Sequence, residues 1–104
     1  MKAQDIVRRM PAALDAEAAG DMEAIVQYRI SEPMYLIIRS GECHAHEGVV
    51  QDPDITLSIE DEDFIALMQG ELNAMNAFMT GKLRLDGDLM LAQRLVALFD
   101  VSKL

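Results

Sequence analysis

Tryptophan is absent from this chain, cysteine occurs once, and aromatic residues make up only 5% of it. Neither a disulfide framework nor a broad aromatic platform is therefore available. The lone Cys43 cannot close an internal bridge, which agrees with a reducing setting. Basic residues are also scarce: 9 Lys and Arg stand against 18 Asp and Glu, for a net charge of −9. Such a surface repels DNA and RNA, and no basic stripe interleaved with aromatics reverses that, so nucleic acid is not an expected partner. The same sign disfavours lasting adsorption to anionic lipid. No apolar run approaches the roughly 18 residues of a membrane span, so stable membrane insertion is not expected. The opening MKAQDIVRRMPAAL lacks the continuous apolar stretch of a secretory signal and carries Asp5 within it. A cytoplasmic setting is the expectation. The alternative comes from the last three residues, Ser102-Lys103-Leu104, which spell a peroxisomal address where the tail is free to be read.

What is present is apolar. Hydrophobic residues are 51% of the 104, enough for one modest core, and residues 1–104 are expected to form one domain. Ile6, Val7, Met10 and Leu14 recur at helical spacing, with Asp5 placed to pair with Arg9 one turn later. Pro11 is expected to bend or end that helix. Val26, Tyr28 and Ile30 alternate with polar residues as a first strand, and Glu32-Pro33 turns the chain. Met34 to Ile38 is apolar on both faces, which predicts a central strand covered on both sides. After Ser40-Gly41, Cys43 to Val50 reads as a weaker third strand, and Ile55, Leu57 and Ile59 as a fourth.

Acidic residues from Glu60 to Asp63 open a helix through Phe64, Ile65, Leu67 and Met68, closed by Gly70. The densest signals follow. Asn73 is a preferred N-cap, and Gly81 stands where a short helix needs a left-handed residue. Leu83 and Leu85 then alternate with Lys82, Arg84 and Asp86 as a fifth strand, and Asp88 caps a last helix. With every helix on one side of the strands, the fold class is α+β in two layers.

Little in this pattern supplies chemistry. Cys43 and His44 are neighbours on a strand, so their side chains point to opposite faces and cannot form a dyad. His44 and His46 share a face with Glu42, but a zinc site wants three or four well-placed ligands, and solvent-facing polar residues on an edge strand explain them better. Asp52, Asp54 and Asp63 echo a calcium loop that would need glycine where Leu57 stands, so no metal or other cofactor is expected. No serine sits in a glycine-flanked elbow, and an enzymatic role has no nucleophile, base and orienting group to rest on.

The methionines are more suggestive. There are 8, against 3 Phe and 2 Tyr, and Met68, Met75, Met79 and Met90 crowd the last three helices. Flexible thioethers fill cores, and they also suit promiscuous apolar surfaces. In the last helix Leu89, Met90, Leu91, Leu95, Val96, Leu98 and Phe99 leave only Gln93, Arg94 and Asp100 polar. One sheet face does not need so broad an apolar surface, so part of it should meet a ligand, a second subunit or other helices.

The stretch from Asp63 to Phe99 resembles the sterol carrier protein 2 (SCP2) lipid-binding domain family. The resemblance rests on Asp63-Phe64, Gly70-Glu71-Leu72-Asn73, Ala77-Phe78-Met79, Gly81-Lys82-Leu83, Gly87-Asp88 and Leu91-Ala92. Met10-Pro11-Ala12-Ala13 and the strand Ile25 to Ile30 extend it towards compact bacterial members. It implies a five-stranded, mixed but largely antiparallel sheet with helices on one face and an apolar tunnel between the layers. It also implies non-enzymatic binding, with or without transfer, of a long-chain lipid: a fatty acid, a fatty acyl-CoA, or a sterol or isoprenoid. The expected lining is Met75, Phe78, Met79, Leu95, Leu98 and Phe99, over a sheet-side floor of Tyr28, Leu36 and Ile38. The competing expectation is a protein–protein module, as a homodimer or as an accessory to a lipid- or quinone-metabolising enzyme.

Overall fold

The computed structural model describes residues 2–99, with only the backbone of Val96 and Ala97. Helix α1 spans Ala3–Ala13 and buries Ala3, Ile6, Val7, Met10 and Ala13, the apolar stripe that its spacing predicts. Pro11 does not end it, because the helix runs on to Ala13 before Leu14 turns extended. Asp5 meets Arg8 at 3.5 Å, within the same helix. Asp15 then accepts from Glu17 N and Ala18 N and caps a one-turn helix, α2 (Ala16–Ala19), which periodicity had not signalled. Three strands follow: β1 (Ala24–Arg29), β2 (Met34–Arg39) and β3 (Glu42–Glu47). The third is shorter than expected because Gly48, at φ +104°, takes the chain out of the sheet. The remaining elements are β4 (Ile55–Ile59), α3 (Asp61–Met68), α4 (Ala74–Met79), β5 (Leu83–Gly87) and α5 (Leu89–Leu98).

The sheet order is β3-β2-β1-β4-β5. All neighbours are antiparallel except β1 and β4, which run parallel with Val26 beside Ile55 and Tyr28 beside Leu57. The central strand is therefore β1, not the doubly apolar β2. The return of β4 alongside β1 displaces β2 by one place, and its second face, carrying Tyr35 and Ile37, is only half-buried.

One face of the sheet carries Ala24, Val26, Tyr28, Leu36, Ile38, Cys43, Ile55 and Leu83, all buried. Helix α1 covers it over β2 and β3, and α5 covers it over β4 and β5. The helix-facing residues of β1 thus lie between the parts of the sheet that α1 and α5 cover, where Tyr28 meets Phe64 of α3. The other face is crossed by the β3–β4 connection, held by Gln27. The Gln27 amide donates to Met34 O and Gly48 O, both at 3.1 Å, and accepts from Val50 N at 2.8 Å.

Candidate functional site

The nine lining residues named from sequence fall into two groups. Six are buried: Tyr28, Leu36 and Ile38 on the sheet, and Leu95, Leu98 and Phe99 at α5 and its end. The strand period places the first three on the helix-facing side, with Leu36 opposite Val26, Ile38 opposite Ala24, and Tyr28 opposite Met34. Asp88 starts α5 by accepting from Met90 N and Leu91 N at 3.0 and 3.1 Å. The far end is pinned where Asp15 N donates to Leu98 O at 2.7 Å and Phe99 bridges Leu14.

The other three lie on the outside of α4. Asn73 caps that helix through Met75 N and Asn76 N at 2.9 and 3.2 Å, and Gly81, at φ +82°, ends it. Ala77 faces the core, which turns Met75, Phe78 and Met79 outward at 65%, 46% and 75% exposure. Leu89 and Met90, in the first turn of α5, are 53% and 75% exposed. Among the described residues these five and Val49 are the exposed large hydrophobic side chains. The sequence placed the α4 residues on the lining; the structure leaves them facing solvent, because a helix of 6 residues has room to bury only one side.

Tyr28 carries a hydroxyl into the helix-facing side of the interior. Its ring meets Phe64 of α3 edge-on, with centroids 5.6 Å apart at 61°. Burial, with the neighbouring Cys43 adding to it, raises the phenol far above its ordinary pKa, so the hydroxyl keeps its proton. Burial also pushes the Cys43 thiol up to about 11, which leaves it a poor nucleophile at neutral pH. The sequence marks Phe64 only as part of a helix that opens on acidic residues, not as a neighbour of Tyr28. Its place beside Asp63 in the family-like pattern was the available signal.

The opposite face holds the remaining polar candidates. His44 lies 3.6 Å from Glu42, and His46 stacks on Tyr35 with centroids 5.1 Å apart. Among the described residues no three His, Cys, Asp or Glu side chains converge as a metal cage, and no helix is long and apolar enough to cross a membrane. Two surface clefts, of about 330 and 450 Å³, lie around Gln4, Ser31 and Glu32. Neither is lined by a residue of α4 or α5, nor by any of the nine.

Comparison with known proteins follows the same lines. The model of the SCP-2 sterol transfer family matches residues 4–100. A peroxisomal multifunctional enzyme A of Dictyostelium discoideum is 48% identical over 52 residues, which are 50% of this chain and 12% of the relative. Sterol carrier protein 2 of Homo sapiens is 45% identical over 58 residues, 56% of this chain and 11% of the relative. The chain thus spans about an eighth or less of these relatives. The solution structure of palmitated SCP2L2 from Aedes aegypti superposes with a TM-score of 0.73 at 27% identity, covering 93% of each chain.

Proposed function

The chain belongs to the SCP-2 sterol transfer family, and from that premise we propose that it is a non-catalytic binder of a long-chain lipid. The observation that carries this reading is the apolar surface of Met75, Phe78, Met79, Leu89 and Met90, gathered on α4 and the first turn of α5. A chain of net charge −9 that leaves five such side chains in water on two successive helices presents a binding surface. In this reading Tyr28, Leu36 and Ile38 form the floor of a tunnel, and Leu95, Leu98 and Phe99 form its wall. The residues of α4 are the rim over which the hydrocarbon enters. Residues 1–104 act as one lipid-binding domain.

Magnitudes support such a guest. Burying a sixteen-carbon chain contributes about 13 kcal/mol at ~0.8 per methylene. Association and ordering remove ~4–15 kcal/mol, which leaves weak to moderate affinity. The palmitated mosquito relative is of the same fold. The compartment in this reading is the cytoplasm, or the peroxisome if Ser102-Lys103-Leu104, outside the described residues, is read as an address.

The test is direct. Native mass spectrometry of the purified protein should detect a copurifying lipid, and a fluorescent fatty acid should bind at micromolar concentration. Exchanging Met75 and Met79 together for Gln should weaken that binding by about tenfold or less without unfolding the protein, as expected for losing part of ~1–2 kcal/mol of contact. Absence of lipid together with no probe binding at ~100 μM, about −5.5 kcal/mol, would overturn the reading.

A second reading rests on one observation: one matched relative is a multifunctional enzyme of which this chain covers 12%. Here the same apolar surface seats an enzyme partner or a second copy. Sedimentation at high concentration separates the two readings, since a lipid-loaded monomer contradicts the second.

A further inference from the structure

The sheet ends on β5, and no described residue hydrogen-bonds to its outer edge. Asp88 N donates to Asp54 O at 2.9 Å. Along the constant register of β4 with β5, the backbone groups of Asp86 and Arg84 therefore also turn towards β4. Those of Leu83 and Leu85 point outward. An edge left open in this way is a template for another strand.

The residues along the edge decide which strand. From Lys82 to Asp88 the chain reads KLRLDGD, with two cations and then two carboxylates at alternate positions. Alternate positions share a face, here the one away from the helices, since Leu83 is buried on the other. Asp88 caps α5, and Lys82, Arg84 and Asp86 have no ion pair among the described residues. A second copy of this strand, laid antiparallel, must set odd residues against odd ones, because those carry the outward backbone groups. Centring the pair on Leu85 brings Arg84 to Asp86 of the second copy, and Lys82 to its Asp88. Sliding the register by two residues either way sets Arg84 against Arg84, or Asp86 against Asp86. The opposite edge, β3, carries Glu42 and Glu47 and no Lys or Arg, so it offers no such match.

The exposed apolar side chains fit the same axis. Met75, Phe78 and Met79 precede β5 on α4, and Leu89 and Met90 follow it on α5. Both helices pack against β5. A two-fold axis through Leu85 exchanges the ends of the strand and keeps both helix layers on one face. The end of α4 in one copy then comes alongside the first turn of α5 in the other. Side chains that a single copy leaves in water cover one another.

We infer that two copies of this chain associate through β5, antiparallel about Leu85, joining their sheets edge to edge. This rests on the second reading above, in its second-copy form, and supplies the surface and the register.

An interface of this extent is small, so sedimentation equilibrium from ~10 μM to ~1 mM should show monomer and dimer exchanging. Arg84→Asp or Asp86→Arg alone sets like charges opposite one another at both symmetric positions, and should raise the dimer Kd about tenfold or more. Both changes in one chain restore the match, as does mixing the two single variants. Either should bring the Kd back to within about threefold of wild type, which also shows that the single variants remain folded.

Wild type that stays monomeric at ~1 mM overturns the inference and the second-copy form of that reading together. A dimer indifferent to either reversal, or not restored by the exchange, overturns the inference alone, since the copies then meet elsewhere. The lipid reading is decided separately, by the fatty acid probe.

Discussion

At the scale of single residues, Gln27 and Tyr28 stand side by side on β1 and face opposite ways. Gln27 ties the β3–β4 connection to the open side of the sheet through Met34 O, Gly48 O and Val50 N. Nothing in the chain marks it beforehand: a glutamine within an alternating strand reads as one more solvent-facing residue, and only the crossing loop buries it. Its replacement by leucine would keep the volume and leave three backbone groups without partners. We expect Gln27→Leu to lose about 2–4 kcal/mol, read as a lower urea midpoint at unchanged slope. A loss below ~1 kcal/mol would mean that water replaces the amide.

At the scale of elements, the structure repeats what short-range signals announce. Asn73 and Asp88 cap the helices they were expected to cap, and Gly81 adopts its left-handed turn. These features are legible because each is settled within four or five residues. The place of β2, the one-turn α2 and the outward face of α4 were not legible, because they depend on what the rest of the chain brings alongside. Six of the nine residues expected to line a tunnel are buried, whereas Met75, Phe78 and Met79 carry the same apolar signal and face water.

Two glycines illustrate the difference between a local and a tertiary constraint. A Cβ on Gly81, at φ +82°, would meet open space. On Gly87, at φ +118°, it would sit 2.5 Å from Asp54 O and 3.0 Å from Ile55 Cα. Gly81→Ala should therefore cost about 1 kcal/mol, the penalty for the left-handed backbone alone. Gly87→Ala should cost about 3 kcal/mol or more, because β5 must move away from β4. Paired thermal melts check this, and equal losses would show that β5 yields without cost.

At the scale of the whole molecule, folding and ionisation are linked through two buried acids. The Cys43 thiol ionises near 11 in the folded protein instead of its ordinary 9.0, and the Tyr28 phenol is raised above its ordinary 10.0. Between about 9 and 11 the unfolded chain has released the thiol proton and the native chain has kept it, so stability falls as the pH rises through that window. Tyr28 adds a decline that begins near 10 in the same direction. Below about 9 neither contributes. Urea unfolding from pH 8 to 11 should show the decline, and Cys43→Ala should delay its onset by about one pH unit, to where the phenol takes over. An unchanged onset would mean that the thiol reaches water.

The parallel pairing of β1 with β4 governs how this molecule can be assembled. β1, β2 and β3 form a meander that closes through short turns. β4 must then come from beyond a connection lying on the opposite side of the sheet from the helices, so its docking waits until that platform exists. The helix layer over β4 and β5, built from residues beyond β4, is thus among the last parts of the chain to take shape and the first that local opening would expose.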